Sequence, residues 1–137
     1  MPPCGTRSGP NLLRRITPPS SLRSYAKLRN VYPLIIFIAE SSDGTLIGFL
    51  EANLRSTADG CDEKLPVGYL EGWFVAGARR GKGVGTALLR AAEDWARAQG
   101  CVEMASDTDI SNTVSQRVHQ ASGFTVSTRG VLYRKPL

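Results

Sequence analysis

The 137-residue sequence has few of the features that mark secreted, zinc-binding or membrane-spanning proteins. Its three cysteines, Cys4, Cys61 and Cys101, are widely spaced and odd in number, which argues against a disulfide framework and a zinc site. No apolar run approaches the ~20 residues of a membrane span. The first residues are not followed by the apolar segment of a secretory signal. We therefore expect a cytoplasmic protein of one domain, with no metal site and no membrane partner.

Acidic residues are absent from positions 1–39, so the formal net charge of +5 arises in this basic segment. Aromatic residues do not alternate with its arginines beyond Tyr25, so the pattern does not favour nucleic-acid binding. Residues 40–71 are strongly acidic and lie shortly before a basic loop at 79–82. That order suits a cationic substrate beside an anionic cofactor. The acidic loop at 57–66, taken alone, is more simply a solvated surface.

A basic glycine loop lies between a strand pattern, Val67–Val75, and a helix pattern from Val84 to about Ala98. The loop reads Arg79-Arg80-Gly81-Lys82-Gly83-Val84-Gly85. Helix N-termini present free backbone N–H groups and the positive end of the helix dipole, and glycines let an anion approach them closely. The spacing is neither a Walker loop nor the dinucleotide fingerprint. We predict a phosphate or pyrophosphate site; the alternative is an ordinary strand–turn–helix corner with basic residues in solvent.

The order of the remaining elements predicts an α/β fold with a mixed sheet flanked by helices. The predicted strands are Tyr32–Ala39, Thr45–Leu54, Val67–Ala76, Cys101–Ser106, Phe124–Thr128 and Val131–Lys135, with a hairpin turn at Ser41–Gly44. The predicted helices are a short basic one at 21–30, the helix after the glycine loop ending at Gly100, and one capped by Asp109, Ser111 or Asn112 and ending at Gly123. Residues 1–30 form an irregular basic segment, and 31–137 form the domain.

Two carboxylates are candidates for binding an amine. Strand alternation places Tyr69, Glu71 and Trp73 on one face, and a lone carboxylate in so apolar a strand favours contact with a cation. Asp107 follows the next strand, at the sheet edge where ligands collect in α/β proteins. Asp107 is equally well explained as the cap of a helix or turn.

The glycine loop matches Arg-x-x-Gly-x-Gly and resembles the acetyl-CoA loop of the GCN5-related N-acetyltransferases (GNATs). The resemblance extends over roughly residues 33–135. Within this superfamily, the sequence is similar to one branch, the aminoglycoside 6'-N-acetyltransferases. Its most specific segment is Glu103-Met104-Ala105-Ser106-Asp107-Thr108. The other matching segments are Leu70–Val75, Gly100–Val102, Asn112, Ser115-Gln116, Val118-His119, Gly123-Phe124 and Tyr133–Lys135.

The resemblance implies transfer of an acetyl group from acetyl-CoA to an aminoglycoside 6'-amine by direct attack in a ternary complex, in an enzyme that is often a homodimer. Glu71 and Asp107 would contact the antibiotic and assist catalysis. The implied cofactor-binding residues are Trp73, Phe74, Val75, Arg80, Gly81, Lys82, Gly83, Val84, Gly85, Thr86 and Asn112. Two other functions stay open: acetylation of another small polyamine or a protein amine, and CoA binding without turnover.

The sequence departs from the family pattern in four places. The usual first strand has no convincing counterpart in residues 1–29, where Leu12–Ile16 indicates at most a helix remnant. Thr128 stands where relatives have an acidic substrate contact, and Ala58 where some have an aromatic residue. His119 occupies the position of a tyrosine that protonates the leaving thiolate in many family members. A histidine can donate a proton, but a lone helical histidine is more often structural.

Overall fold

A computed structural model describes residues 13–16 and 34–137 of the chain. The strands are β1 (Leu13–Ile16), β2 (Leu34–Glu40), β3 (Leu46–Arg55), β4 (Val67–Val75) and β5 (Met104–Ser106). The helices are α1 (Val84–Ala98) and α2 (Thr113–Ala121), with a single 3-10 turn at Gly77–Arg79. The predicted basic helix at 21–30 lies outside the described residues.

The five strands form one mixed sheet in chain order. Strands β1 to β4 are antiparallel neighbours, whereas β5 pairs parallel to β4 after the crossover through α1. A parallel neighbour requires such a crossover, so the strand–helix–strand unit predicted from the glycine loop is confirmed. The pairing of β5 is short: only Gly68, Tyr69 and Leu70 of β4 have partners there.

The hairpin between β2 and β3 is confirmed at the predicted turn. Gly44 has φ of 84°, and the Ser41 N–H donates to the Thr45 carbonyl at 2.9 Å. The Asp43 carboxylate accepts hydrogen bonds from the Ser41 hydroxyl and the Thr45 N–H, which lower the Asp43 pKa to about 2. An aspartate that bonds the backbone two residues ahead is a typical turn former.

The core lies between the sheet and one face of α1. Leu88 and Ala92 of the helix are fully buried against Leu50 and Ala52 of β3. The buried residues of α1 recur every three to four positions, and the helix was predicted from this spacing. Gly68 of β4 lies under the helix, where an added Cβ would be 2.8 Å from the Ala96 Cβ. The absence of a side chain there lets α1 pack directly on β4.

Both glycines predicted to end helices do so by the same hydrogen-bond pattern. Gly100 and Gly123 have φ of 90° and 95°, conformations in which other residues are strained. After α1, the Cys101 N–H donates to the Ala96 carbonyl at 3.0 Å, and after α2 the Phe124 N–H donates to the His119 carbonyl at 3.0 Å. These six-to-one bonds define the Schellman motif.

The expectations for the segments that form β1 and β5 are corrected. The segment expected as a helix remnant is β1, paired with β2 from Leu13↔Ala39 to Ile16↔Ile36. Four residues are too few to nucleate a helix, while the edge of β2 offers unpaired backbone groups. Strand β5 is limited to three residues because Cys101 still closes the end of α1.

The two predicted C-terminal strands are also wrong: residues 124–137 have no regular secondary structure and pair with no described strand. A strand requires a partner edge, and apolar composition alone does not provide one. Several apolar side chains of this segment are almost fully exposed, including Leu132 at 99% and Tyr133 at 93%.

Candidate active site

The glycine loop forms an open, uncapped helix N-terminus. Gly81 and Gly83 have φ of 71° and 85°, and an added Cβ at either would meet nothing within 4 Å. Gly83 precedes α1 without a side-chain cap, and the first turn contains no acidic residue. The first N–H groups of the helix are therefore available to an external anion. These features fit a pyrophosphate group.

Basic side chains surround this N-terminus. Arg79, Arg80 and Lys82 are exposed. Arg80 is partly fixed, because its Nε donates to the Val75 carbonyl at 2.9 Å. Along the outer side of α1 runs an open groove of about 450 Å³. Its lining residues are Gly83, Thr86, Ala87, Arg90, Ala91 and Asp94.

A β-bulge in β4 corrects the predicted facing of the aromatic residues. Glu51 of β3 pairs with Gly72 and Ala52 pairs with Leu70, so Glu71 is an extra residue without a direct partner on β3. Such an insertion reverses the alternation of side chains beyond it. Trp73, expected on the face of Glu71, instead packs against the core.

The two sides of β4 beyond the bulge therefore differ. An added Cβ at Gly85 would lie 3.4 Å from the Trp73 indole, so the first turn of α1 lies against this ring. The indole Nε1 is buried and has no hydrogen-bond partner among the described residues. On the other side, Phe74 stacks on Phe49 at 6.0 Å between ring centroids, and both rings are exposed. From Glu71 onward β4 does not pair with β5, so the backbone groups on that edge of β4 have no partner in β5.

Glu71 and Asp107, predicted as candidate carboxylates, belong to one interaction network on the face of the sheet opposite α1. The Glu71 Oε1 accepts hydrogen bonds of 2.7 Å from Asn53 Nδ2 and Arg55 Nη2. The Arg55 Cζ lies 3.2 Å from the centre of the Tyr69 ring. The Tyr69 hydroxyl in turn donates to Asp107 Oδ1 at 2.6 Å.

This network holds the phenol in its neutral form. Burial and the hydrogen bond to Asp107 raise the pKa of Tyr69 to about 12. Desolvation lowers the pKa of Arg55, but its hydrogen bond and attraction to Glu71 outweigh that effect and leave the pKa raised. Tyr69 is therefore a hydrogen-bond donor to Asp107, not a proton acceptor, at neutral pH. Asp107 does not cap a turn here; Asp109 does, by accepting from the Ser111 N–H at 2.7 Å.

His119 lies where β4 and β5 separate. Its Nδ1 lies 2.8 Å from the Ser115 carbonyl and its Nε2 lies 2.9 Å from Ser106 Oγ. Because a carbonyl only accepts, Nδ1 donates to Ser115, whereas the one proton of the Ser106 hydroxyl is shared between Nε2 and the Leu70 carbonyl, which lies 3.2 Å from Ser106 Oγ. The imidazole also makes edge contacts with the rings of Trp73 and Phe124. These contacts give His119 a packing role.

Asn112 caps α2, since its side chain accepts from the Ser115 N–H at 3.0 Å. Sequence reasoning singled out Asn112 for cofactor contact and as one of three possible caps, and its cap role is confirmed. It did not identify Asn53 or Arg55, the partners of Glu71. Asn53 and Arg55 alternate with buried residues along β3, so the pattern indicates that they share one face of the strand. It does not indicate that they contact Glu71, which lies 18 and 16 residues further along the chain.

Within residues 34–137 no group of histidine, cysteine, aspartate or glutamate side chains is arranged to hold a metal ion. Neither described helix is long and apolar enough to cross a membrane. Cys61 and Cys101 are free thiols whose pKa values are raised by burial.

Comparison with known proteins identifies the family of the chain. Residues 11–124 match the acetyltransferase (GNAT) family. The aminoglycoside N(6')-acetyltransferase type 1 of Klebsiella aerogenes is 45% identical over 105 residues, which cover 77% of this chain and 68% of the relative. The same enzyme type of Salmonella typhimurium is 48% identical over 103 residues, covering 74% of this chain and 70% of the relative.

Solved structures agree. A structure of aminoglycoside N-acetyltransferase AAC(6')-Iy in complex with CoA has a TM-score of 0.75 and 38% identity, and the match covers 91% of this chain and 99% of that one. A second structure, in complex with a bisubstrate analogue, CoA-S-monomethyl-acetylneamine, has a TM-score of 0.75 and 36% identity over 91% and 97% of the chains. The chain therefore belongs to the GNAT acetyltransferase family and to its aminoglycoside 6'-N-acetyltransferase branch.

Proposed function

We propose that this protein acetylates the 6'-amine of an aminoglycoside with acetyl-CoA as donor and thereby confers resistance to the antibiotic. The observation that carries the proposal is the placement of Glu71 and Asp107 in one network through Arg55 and Tyr69, in a fold whose glycine loop leaves the N-terminus of α1 uncapped. An anionic cofactor fits the helix end, and a polycationic acceptor fits the carboxylates. Glu71 lies in β4 directly after the last residue that pairs with β5, and Asp107 directly follows the carboxyl end of β5.

The cofactor-binding residues divide into two groups. The free N–H groups at Val84, Gly85 and Thr86, with Arg80, Gly81, Lys82 and Gly83, would hold the pyrophosphate. Trp73, Phe74 and Val75 lie on the part of β4 that extends beyond β5, and their backbone would hold the pantetheine arm; Asn112 would lie near it. Acetyl-CoA supplies an activated thioester when bound. The residues of the chain then have to hold the acceptor amine in position for attack on the thioester and remove its proton.

Glu71 and Asp107 are the proposed catalytic and substrate-binding residues. The acceptor amine is largely protonated at neutral pH and must lose a proton before it can attack. Glu71, on the exposed side of the bulge, is placed to attract the ammonium and to receive its proton directly or through water. Asp107, held by the Tyr69 hydroxyl, offers a second carboxylate for another amine of the same acceptor. Charge-assisted hydrogen bonds of this kind each contribute ~1.5–3 kcal/mol.

The activity test is acetyl-CoA consumption with matched acceptors. We expect turnover with an aminoglycoside of the kanamycin type and none with a matched aminoglycoside that has a hydroxyl at the 6' position. Turnover only with another polyamine or a lysine peptide would assign a different acceptor. Acetyl-CoA binding without any turnover would identify a CoA-binding protein that is not an enzyme.

We further propose that the protein is a cytoplasmic homodimer with residues 31–137 as the acetyltransferase domain. The donor is an intracellular metabolite, which supports the location. The support for a dimer is the C-terminal segment 124–137, whose β-rich sequence and exposed apolar side chains suit pairing with a second copy. No feature of this segment requires a different partner.

A further inference from the structure

Arg55 is the cation that pairs with Glu71, the carboxylate proposed to attract the substrate's ammonium. It is the last residue of β3, and its Nη2 lies 2.7 Å from Glu71 Oε1. Its guanidinium also contacts the face of the Tyr69 ring, with the Cζ 3.2 Å from the ring centre. Glu71 is thus paired with a cation that belongs to the protein itself.

The pairing is of a kind that exchanges readily. The side chains of Arg55 and Glu71 are 41% and 29% exposed, and ion pairs with that much solvent contact contribute little to stability. The contact of the guanidinium with the Tyr69 ring adds a further weak attraction. An acceptor with several ammonium groups exceeds this attraction because Asp107 and Glu71 act on it together.

Arg55 also opposes a bound acceptor while it stays in place. A second cation within hydrogen-bond distance of Glu71 would lie only a few ångströms from the guanidinium, and like charges at that separation repel. Asn53, the other donor to Glu71, is neutral and has no such effect. Asn53 can therefore keep Glu71 oriented after Arg55 has moved away.

We propose that Arg55 is an internal counter-ion that competes with the substrate for Glu71. It pairs with Glu71 when no acceptor is bound and is exchanged for the acceptor's ammonium on binding. The exchange weakens the binding of every acceptor that uses Glu71. This inference rests on the proposed aminoglycoside acetylation.

The test compares the wild type with Arg55→Met and Arg55→Lys by calorimetry, using a kanamycin-type aminoglycoside and a single-amine glucosamine-type sugar as ligands. Methionine keeps an aliphatic stem over Tyr69 but has no charge, whereas lysine keeps the charge. We expect Arg55→Met to lower the Kd of both ligands by a similar factor, at least ~3-fold, since both have to displace the same weak competitor. Arg55→Lys should stay within ~2-fold of the wild type, and the acetyl-CoA Kd should not change in either variant.

A second measurement does not depend on the variants' affinities. In nitrogen-15-labelled protein, the Arg55 side-chain signal, assigned by its loss in Arg55→Met, should shift when the aminoglycoside is added and stay unchanged with acetyl-CoA. If the aminoglycoside Kd rises or stays constant in a folded Arg55→Met variant, or the signal does not shift on binding, Arg55 is not a competitor. If the wild type binds acetyl-CoA but no aminoglycoside, the proposed function itself is wrong, and this inference falls with it.

Discussion

At the scale of single residues, Glu71 is the side chain whose charge matters most to the proposed reaction. Glu71→Gln keeps the size and the acceptor oxygen but removes the attraction for an ammonium and the capacity to take its proton. We expect kcat/KM for the aminoglycoside to fall at least ~10-fold, equivalent to about 1.4 kcal/mol of transition-state stabilisation. The fall should be largest near neutral pH, where most of the acceptor amine is protonated, and acetyl-CoA affinity should hardly change.

The measurement is a pH–rate profile of Glu71→Gln beside that of Glu51→Gln. Glu51 lies on the neighbouring strand and pairs with Gly72, so it controls for loss of a nearby negative charge. Profiles of Glu71→Gln and wild type that coincide would remove Glu71 from the mechanism. The proton would then pass to Asp107 or to solvent.

Tyr69 gives a residue-level prediction with a defined pH range. Its pKa of about 12 in the folded protein compares with about 10 for an unperturbed tyrosine. The neutral phenol therefore contributes stability that is fully present below pH ~10 and is lost as the pH rises through ~12. The difference in phenolate absorbance between wild type and Tyr69→Phe should show a midpoint near the raised value.

Asp107→Asn should lower that midpoint, because it replaces the carboxylate that favours the protonated phenol. The same variant should weaken aminoglycoside turnover and spare acetyl-CoA binding. A Tyr69 midpoint at the ordinary value would show that the Tyr69–Asp107 bond does not form in solution.

At the scale of helices and strands, periodicity and glycine placement predicted α1, its end at Gly100 and the end of α2 at Gly123. These are local properties: a repeat of apolar residues and a backbone conformation that only glycine adopts easily. The bulge at Glu71 was not predictable in the same way, because it depends on the register between β3 and β4. As a result, Trp73 was predicted on the wrong face of β4.

The glycine loop can be tested as an element with a matched pair of substitutions. Gly83→Asp places a negative charge at the uncapped start of α1, and Gly83→Asn places a neutral side chain of the same size there. Asparagine and aspartate both tolerate positive φ better than most residues. We expect acetyl-CoA affinity to fall at least ~10-fold more in Gly83→Asp than in Gly83→Asn, because the charge opposes the pyrophosphate and pairs with the helix dipole.

Calorimetry with acetyl-CoA and with CoA measures the affinities of Gly83→Asp and Gly83→Asn, and circular dichroism checks that both variants are folded. Equal affinities in the two variants would show that the N-terminus of α1 does not bind the pyrophosphate.

The contact between α1 and β4 is testable through Gly68. An added Cβ would be 2.8 Å from the Ala96 Cβ and 3.1 Å from the Met104 side chain, so Gly68→Ala must displace the helix or β5. Overpacking of this kind costs ~1–3 kcal/mol of unfolding free energy. Gly77→Ala is the control, because a Cβ there meets nothing within 4 Å. Urea denaturation should show a loss for Gly68→Ala and little change for Gly77→Ala; equal stabilities would contradict the close packing.

At the scale of the whole molecule, the site is assembled from three neighbouring strands. Asn53 and Arg55 come from β3, Tyr69 and Glu71 from β4, and Asp107 follows β5. The carboxylates were found from sequence because a charge in an apolar strand and an acid at a strand end are local signals. Their partners were not, since the contact between Arg55 and Glu71 exists only once β3 and β4 are aligned.

The C-terminal segment 124–137 defines the last prediction, which concerns assembly. Its two β-rich stretches were predicted as strands, yet in the single chain they pair with no described strand, and Leu132 is 99% exposed. Apolar side chains in this state are stabilised by burial against another chain. We therefore expect the full chain to sediment as a dimer and Leu132→Asp to raise the dimer dissociation constant at least ~10-fold, because an aspartate would be buried without a partner. Leu46→Asp, at an exposed site on β3, should leave the dimer intact. A wild-type protein that stays monomeric at high concentration, or a Leu132→Asp variant that dimerises as tightly as the wild type, would exclude this segment as the dimer contact.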